Sequence, residues 1–416
     1  MLAMLAIFLP SPIRKIYFLF RDIFTASGFS YDEGCAALLF FMLGCQSLCD
    51  FVRRCPWSPS VSSLSRAARK FEPNRFMRRN QSRILKRIAS CGHRDFCFAV
   101  DDTANPKYGN NAFASAPFHS SGGPYFGQKI LVLVIVNLKT GQALPISYAF
   151  LTGKKDPDHV PGHFRAIDLI QGAIHNGFPP LPVISDSWFD SKEFIRSVKD
   201  LGCEFAGELK ATRLARTNSN SGSPRQKLKL WFVKLKKIRL TRSRFQKRHE
   251  KRGKAFSQAT LFIKDLHIPL TVIAVYNRIN GSTPFAFYAT TDLSMTGARL
   301  WKYSRARWAI EVMFRDLKQS LSFGGLTAGG EGGAHMAVCI PLILLTSIRL
   351  DGKETWGSKS KETLGTTVQR QREIALAKAI DAIVASPHGS RAERLRARRK
   401  NPNEKPTNLC GEKISA

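Results

Sequence analysis

Apolar residues recur at helical spacing over 16–26 and 35–52, pause at a Pro- and Ser-containing break over 58–65, and continue into a strongly basic helical stretch, 66–90. Beyond Phe96 the rhythm changes to short apolar runs. Residues 96–100 are apolar and β-prone, and the run stops at Asp101-Asp102-Thr103. A Gly-, Ser- and Asn-rich loop follows over 109–127, and residues 130–136 are then continuously apolar, as in a strand buried on both faces. Thr140-Gly141 turns the chain, and 143–151 returns as a third strand. A helix over 164–175, a strand at 181–184, a helix over 191–200 and a strand at 203–209 complete the series. Three strands joined by tight turns, followed by alternating helix and strand, predict a mixed α/β sheet with flanking helices.

Residues 210–297 interrupt this series. Residues 213–226 are polar, 232–254 hold eleven Lys or Arg with Phe232 and Phe245 between them, and 259–263, 270–276 and 284–289 read as strands. The pattern predicts a β-rich insertion with a basic arm, in which Lys236, Lys237, Arg239, Arg242 and Arg244 are candidate phosphate contacts. A solvated basic loop is the plainer reading, and the two are compatible. Residues 301–318, free of Gly and Pro, form the next helix, and 336–345 form a core helix too short to span a membrane. The apolar start, 1–9, is shorter still. Beyond 351 the chain is polar, with a helical stretch at 369–384 and a basic, flexible tail at 391–400. The expected organisation is a helical, basic, DNA-binding 1–90, a core over 91–209 and 298–350, the insertion over 210–297, and a tail over 351–416.

Charge narrows the partners. The 416 residues include 64 Lys and Arg against 31 Asp and Glu, a formal net charge of +33. That excess points to nucleic acid ahead of an anionic membrane surface. The nine cysteines are scattered without zinc-ligand spacing and read as reduced, buried thiols of a cytoplasmic protein. The nine histidines form no ligand set, and no organic cofactor is expected.

The chemistry gathers around carboxylates. Arg307 and Glu311 lie four apart and Glu311 and Lys318 seven apart, so the three share a helix face, with Trp308, Ile310, Val312 and Phe314 packing the adjoining stripe. Taken alone, this is an ordinary solvated face with spaced ion pairs. Asp101 and Asp102 stand just past one strand and Asp186 just past another, where aspartates commonly form turns or helix caps. Asp190-Ser191-Lys192-Glu193, however, offers a capping box with its cap at Asp190, which leaves Asp186 without a structural task. Three carboxylates from two strand ends and a helix suit two Mg2+ or Mn2+ ions. Such ions, roughly 3.5–4 Å apart, would activate a water or 3′-hydroxyl and stabilise the leaving oxygen of a phosphodiester.

Three strings then carry a resemblance: Val100-Asp101-Asp102-Thr103 with Pro106-Lys107 and Gly109, Ile184-Ser185-Asp186-Ser187-Trp188-Phe189, and the helix from Tyr303 to Lys318. Together they resemble the DDE transposases of bacterial insertion sequences, which have an RNase H-like core related to retroviral integrases, over residues 96–325. The branch with a β-strand insertion before its glutamate carries Tyr, Arg, Glu and Lys separated by two, three and six residues. Arg307, Glu311 and Lys318 match the last two spacings, whereas Tyr303 is one residue upstream and Ser304 holds the expected place. The 125-residue interval from Asp186 to Glu311, longer than the 85 from Asp101 to Asp186, accommodates that insertion.

The resemblance implies roles. Asp101 or Asp102 would be the first metal ligand, with Asp101 preferred, Asp186 the second and Glu311 the third. Arg307 and Lys318 would hold phosphates at the transposon end, with Tyr303 beside them, and Trp188 would stack on a displaced base or simply pack. The implied reaction is metal-dependent cleavage at transposon ends, then attack of the freed 3′-hydroxyl on target DNA, with no covalent protein–DNA intermediate. A homodimer on double-stranded DNA is implied, in the bacterial cytoplasm and on the nucleoid when bound. Two other readings stay open: a catalytically inactive or domesticated relative that binds DNA, and a structure-specific nuclease on the same core.

Overall fold

The computed structural model describes residues 11–385 except 56–57, 108–111, 121, 218–224, 233–234, 240–253, 265, 267, 279, 327–328 and 352–362. Its first five helices are α1 (Ser11–Ala26), α2 (Tyr31–Met42), α3 (Leu48–Arg54), α4 (Val61–Arg69) and α5 (Pro73–Ala89). Both long helical stretches of the sequence therefore divide. α2 opens on a capping box between Ser30 and Glu33, and the chain leaves it through Gly44 at a φ of +73°, a backbone state that glycine adopts freely. Pro73 stands in the first turn of α5, where its missing N–H costs nothing.

The first sheet holds β1 (Phe96–Pro106), β2 (Ala116–Ser120), β3 (Gly123–Asn137), β4 (Gln142–Leu151) and, after α6 (Gly162–His175), β5 (Val183–Ile184). β3 pairs antiparallel with β1, β2 and β4, while β5 runs parallel to β1. After α7 (Lys192–Asp200), Phe205 bridges in parallel to Val183, just ahead of β6 (Ala206–Leu209). Three antiparallel strands with parallel ones added beside the first give the RNase H-like order. Every residue from Ile130 to Val136 is fully buried, as the unbroken apolar run requires. β1 does not stop at Asp101: it continues to Pro106, because β3 offers each of these polar residues a ladder partner that the local pattern cannot reveal.

The second sheet is antiparallel throughout. It comprises β6, β7 (Leu214–Arg216), β8 (Gln226–Lys227), β9 (Ile238–Arg239), β10 (Ala255–Ile263), β11 (Pro269–Tyr276) and β12 (Ala286–Thr290), in the order β6-β12-β11-β10-β7-β8 with β9 on β10. α8 (Leu228–Trp231) lies between β8 and β9. Phe232 is fully buried here against Phe287, and is not an aromatic of the basic arm.

Four helices close the described chain: α9 (Gly297–Ala306), α10 (Trp308–Ser320), α11 (Gly330–Asp351) and α12 (Leu364–Ala385). The single helix expected over 301–318 is thus two, meeting at Arg307. α11 is longer than its apolar centre predicts, and residues 330–350 are long and apolar enough to cross a membrane by composition alone. Since 78% of that window is buried inside the protein, α11 reads as a core helix. One face of the first sheet (Cys97, Ala99, Val132, Val134) packs on α1–α5, α10 and α11. The other (Phe98, Val100, Leu131, Leu133) packs on α6, α7 and the second sheet. Of the eight described cysteines, all free, six are buried, while Cys49 and Cys91 are exposed. The apolar start, Phe245 and the basic tail lie outside the described residues.

Candidate active site

Asp101 and Asp186 become neighbours through strand register. Ala99 pairs with Ile184 in the parallel β1–β5 ladder; Asp101 lies two residues further along β1, and Asp186 two residues beyond Ile184, past the end of β5 in extended backbone. α10 packs on β1 and β4, and Arg307 and Glu311 at its start reach the same corner. The Arg307 guanidinium bridges the two elements: Nη1 is 3.3 Å from Asp101 Oδ2 and Nη2 is 2.7 Å from Glu311 Oε1. All three side chains are largely shielded, between 16% and 32% exposed. The i,i+4 spacing thus makes a real pair, and the strand end joins it.

The two adjacent aspartates face opposite ways. Burial pushes the Asp101 carboxyl up to about 7, with the Asp186 charge adding to it and Arg307 opposing. Asp102 is also raised by burial, but Lys129 opposes, with Nζ 3.1 Å from Asp102 Oδ2. Asp101, on the face of Glu311, therefore suits the first-ligand role better than Asp102. Asp186 has a structural task after all: its Oδ1 accepts from Trp188 N at 3.0 Å and caps a short 3-10 turn, Ser187–Phe189. The cap of α7 is Ser191, not Asp190. Asp190 is buried instead, accepting from Lys210 N at 3.0 Å and from Arg213 Nη2 at 2.9 Å.

The candidate DNA contacts divide. Trp188 is 47% exposed beside Asp186, with the Lys129 ammonium 4.6 Å from its ring centroid and the edge of its six-membered ring against Gly162, where a Cβ would strike the indole. Lys318 is exposed and lies along β1, donating to the Ala104 carbonyl at 2.7 Å. Lys107 donates to Gly324 O at 2.6 Å, tying the end of β1 to the turn after α10. Tyr303 corrects the expectation: it is 1% exposed, turned into the core at 3.5 Å from Arg299 Nη2, because one residue of offset is a turn of about 100° on a helix. Trp308 corrects the opposite expectation, since it is 61% exposed and packs no core stripe. Lys236 is exposed, whereas Lys237 donates to Gly281 O at 2.5 Å and covers the Tyr276 ring. Arg239 pairs in β9, and Arg242 and Arg244 lie outside the described residues.

One group escaped sequence reasoning. Glu208, on β6, is half-buried near Arg307, Asp186 and Asp190, and burial raises its pKa while Arg307 opposes. No spacing signal marks it, since only the pairing of β6 with β12 and the β5 strand end brings it here.

Hard carboxylate oxygens are the donors that Mg2+ or Mn2+ takes, and Arg307 already supplies positive charge between two of them. As they stand, no three of the described His, Cys, Asp or Glu residues are grouped to hold a metal, which fits a guanidinium lying between Asp101 and Glu311. Residues 95–345 match the family described as the transposase DDE domain, more than half of the chain and all of this site. The chain belongs to that family. No curated protein sequence matches the chain. Among solved structures, this DDE-domain protein is similar to the piggyBac transposase of a cryo-EM synaptic complex with hairpin DNA. The identity is 14% and the TM-score 0.39, with 76% of this chain and 59% of that chain covered.

Proposed function

We propose that the chain is a DNA transposase that cuts phosphodiesters at transposon ends and transfers the freed 3′-hydroxyl to target DNA. The observation that carries the reading is the Arg307 bridge between Asp101 and Glu311, with Asp186 beside Asp101 at the adjoining strand end. Asp101, Asp186 and Glu311 would hold two Mg2+ or Mn2+ ions, which when bound would activate a water or 3′-hydroxyl and stabilise the leaving oxygen. Arg307 would grip the scissile phosphate through its planar fork once freed from its carboxylates. Trp188, half-exposed and pinned by Gly162, offers an aromatic face for an unstacked base. Exposed Lys236 and the charge of +33 supply phosphate attraction along a double-stranded DNA partner, in the cytoplasm and as a homodimer that joins two ends.

The test is cleavage and strand transfer on DNA carrying the element's ends, comparing wild type with Glu311→Gln, with magnesium present or chelated. Nicking that needs metal, leaves a 3′-hydroxyl and vanishes in Glu311→Gln supports the reading. Tight DNA binding without metal-dependent cleavage in wild type would instead identify a catalytically inactive, DNA-binding relative.

A further inference from the structure

The Arg307 fork stands on the same carboxylates that a divalent cation needs. Its Nη1 lies on Asp101 Oδ2 and its Nη2 on Glu311 Oε1, so a cation that takes both residues must displace the guanidinium. Arginine stays charged at any working pH, and a charge this shielded (21% exposed) needs another anionic partner close by. Asp102 is held by Lys129, and Asp190 by Arg213 and Lys210. Asp186 stands beside Asp101 as a candidate ligand in its own right.

Glu208 is the carboxylate left over. Its backbone N–H donates to Ser185 O at 3.3 Å, which sets it against the residue before Asp186. Its register partner on β12 is Tyr288, whose ring packs on Trp301 of α9, two turns before Arg307. Ala206, on the same face of β6 as Glu208, is buried in the core with Tyr303, Ala306 and Ile310, so Glu208 looks toward the junction of α9 and α10 where Arg307 stands. β6 and β12 thus bring a carboxylate and a phenol from the second sheet to the helix that ends at Arg307.

We propose that Glu208 is a positioning residue of this centre, receiving the Arg307 guanidinium when a divalent cation takes Asp101 and Glu311. The cation then enters by exchange with a resident cation, and Arg307 is parked where an incoming phosphate can collect it. The inference rests on the metal-dependent reading above.

The test is Mn2+ binding to the full chain without DNA, followed by electron paramagnetic resonance of free manganese. Wild type is compared with Arg307→Gln, Glu208→Gln, Glu208→Asp, the Arg307→Gln/Glu208→Gln double variant and Asp101→Asn, each first checked for folding by circular dichroism. The expected result is tighter binding in Arg307→Gln and binding weakened about tenfold in Glu208→Gln, partly restored in Glu208→Asp. In the Arg307→Gln background, removing Glu208 should then have no further effect. Equal weakening in both backgrounds would make Glu208 a ligand or a bystander charge, and no weakening in either would give it no part; each overturns the inference. If wild type and Asp101→Asn bind manganese alike or not at all, the metal reading itself fails, and the inference with it.

Discussion

Asp101 and Asp102 are consecutive on β1, yet they belong to two different environments. Asp101 faces α10, where it shares Arg307 with Glu311 and is crowded by Asp186. Asp102 faces the α6 side, where it has a cation to itself, Lys129, whose ammonium also covers Trp188. Strand alternation places them so, and a full side-chain reversal separates neighbours. The lesson is about surplus negative charge. On the Asp102 side charge is balanced within the protein, whereas on the Asp101 side one guanidinium serves two carboxylates and a third presses on the first. Balanced pairs hold structure, and the unbalanced side is where the proposed cation would be drawn.

The sharpest way to break this contrast is to neutralise each aspartate. Asp101→Asn and Glu311→Gln should take metal-dependent nicking of a DNA end to background. Asp102→Asn should retain nicking, reduced by ~10–100-fold as for a residue supporting the ligands from behind. Equal loss in Asp101→Asn and Asp102→Asn would erase the distinction between the two sides.

Proton linkage gives a second, smaller effect. Folded Asp101 keeps its proton up to about 7, while in the unfolded chain it ionises near 3.8. Between these values the unfolded state binds fewer protons, so stability of the metal-free protein falls as pH rises from about 4 to about 7. Urea denaturation across this window should show Asp101→Asn gaining on wild type by on the order of 2–4 kcal/mol, then levelling off. A flat difference would mean that Arg307 already satisfies the carboxylate. Lys129→Met probes the opposite side and should cost about 1–3 kcal/mol, because it strands the Asp102 carboxylate, discounted for partial solvent access.

What the sequence made legible were features with local or strictly periodic causes. The apolar run of β3, the turn at Gly141, the mixed sheet and the Arg307–Glu311 spacing all follow from neighbours in the chain, and the structure carries them. What stayed hidden depended on distant partners. β1 runs on through polar residues because β3 pairs them, Glu208 reaches the site because β6 lies between two sheets, and Lys318 finds a β1 carbonyl. At the junction of α9 and α10, which face is buried is set by what packs there, so Tyr303 turns inward and Trp308 outward against the pattern.

The smallest expected effect concerns the buried layer beneath Asp101. Cys97 and Asp101 share a face of β1, and Tyr303 lies near Cys97 with almost no exposure. Tyr303→Phe removes only a long hydrogen bond from Arg299, so it should cost less than about 1 kcal/mol and leave DNA affinity unchanged at every salt concentration. Lys236→Ala, at an exposed position of the basic segment, should instead reduce the slope of log affinity against log salt by about 0.9. The two variants measured side by side separate a residue that supports the Asp101 face from within from one that meets phosphate outside it. Weaker DNA binding in a fully folded Tyr303→Phe would place its hydroxyl at the nucleic acid and undo the inward assignment.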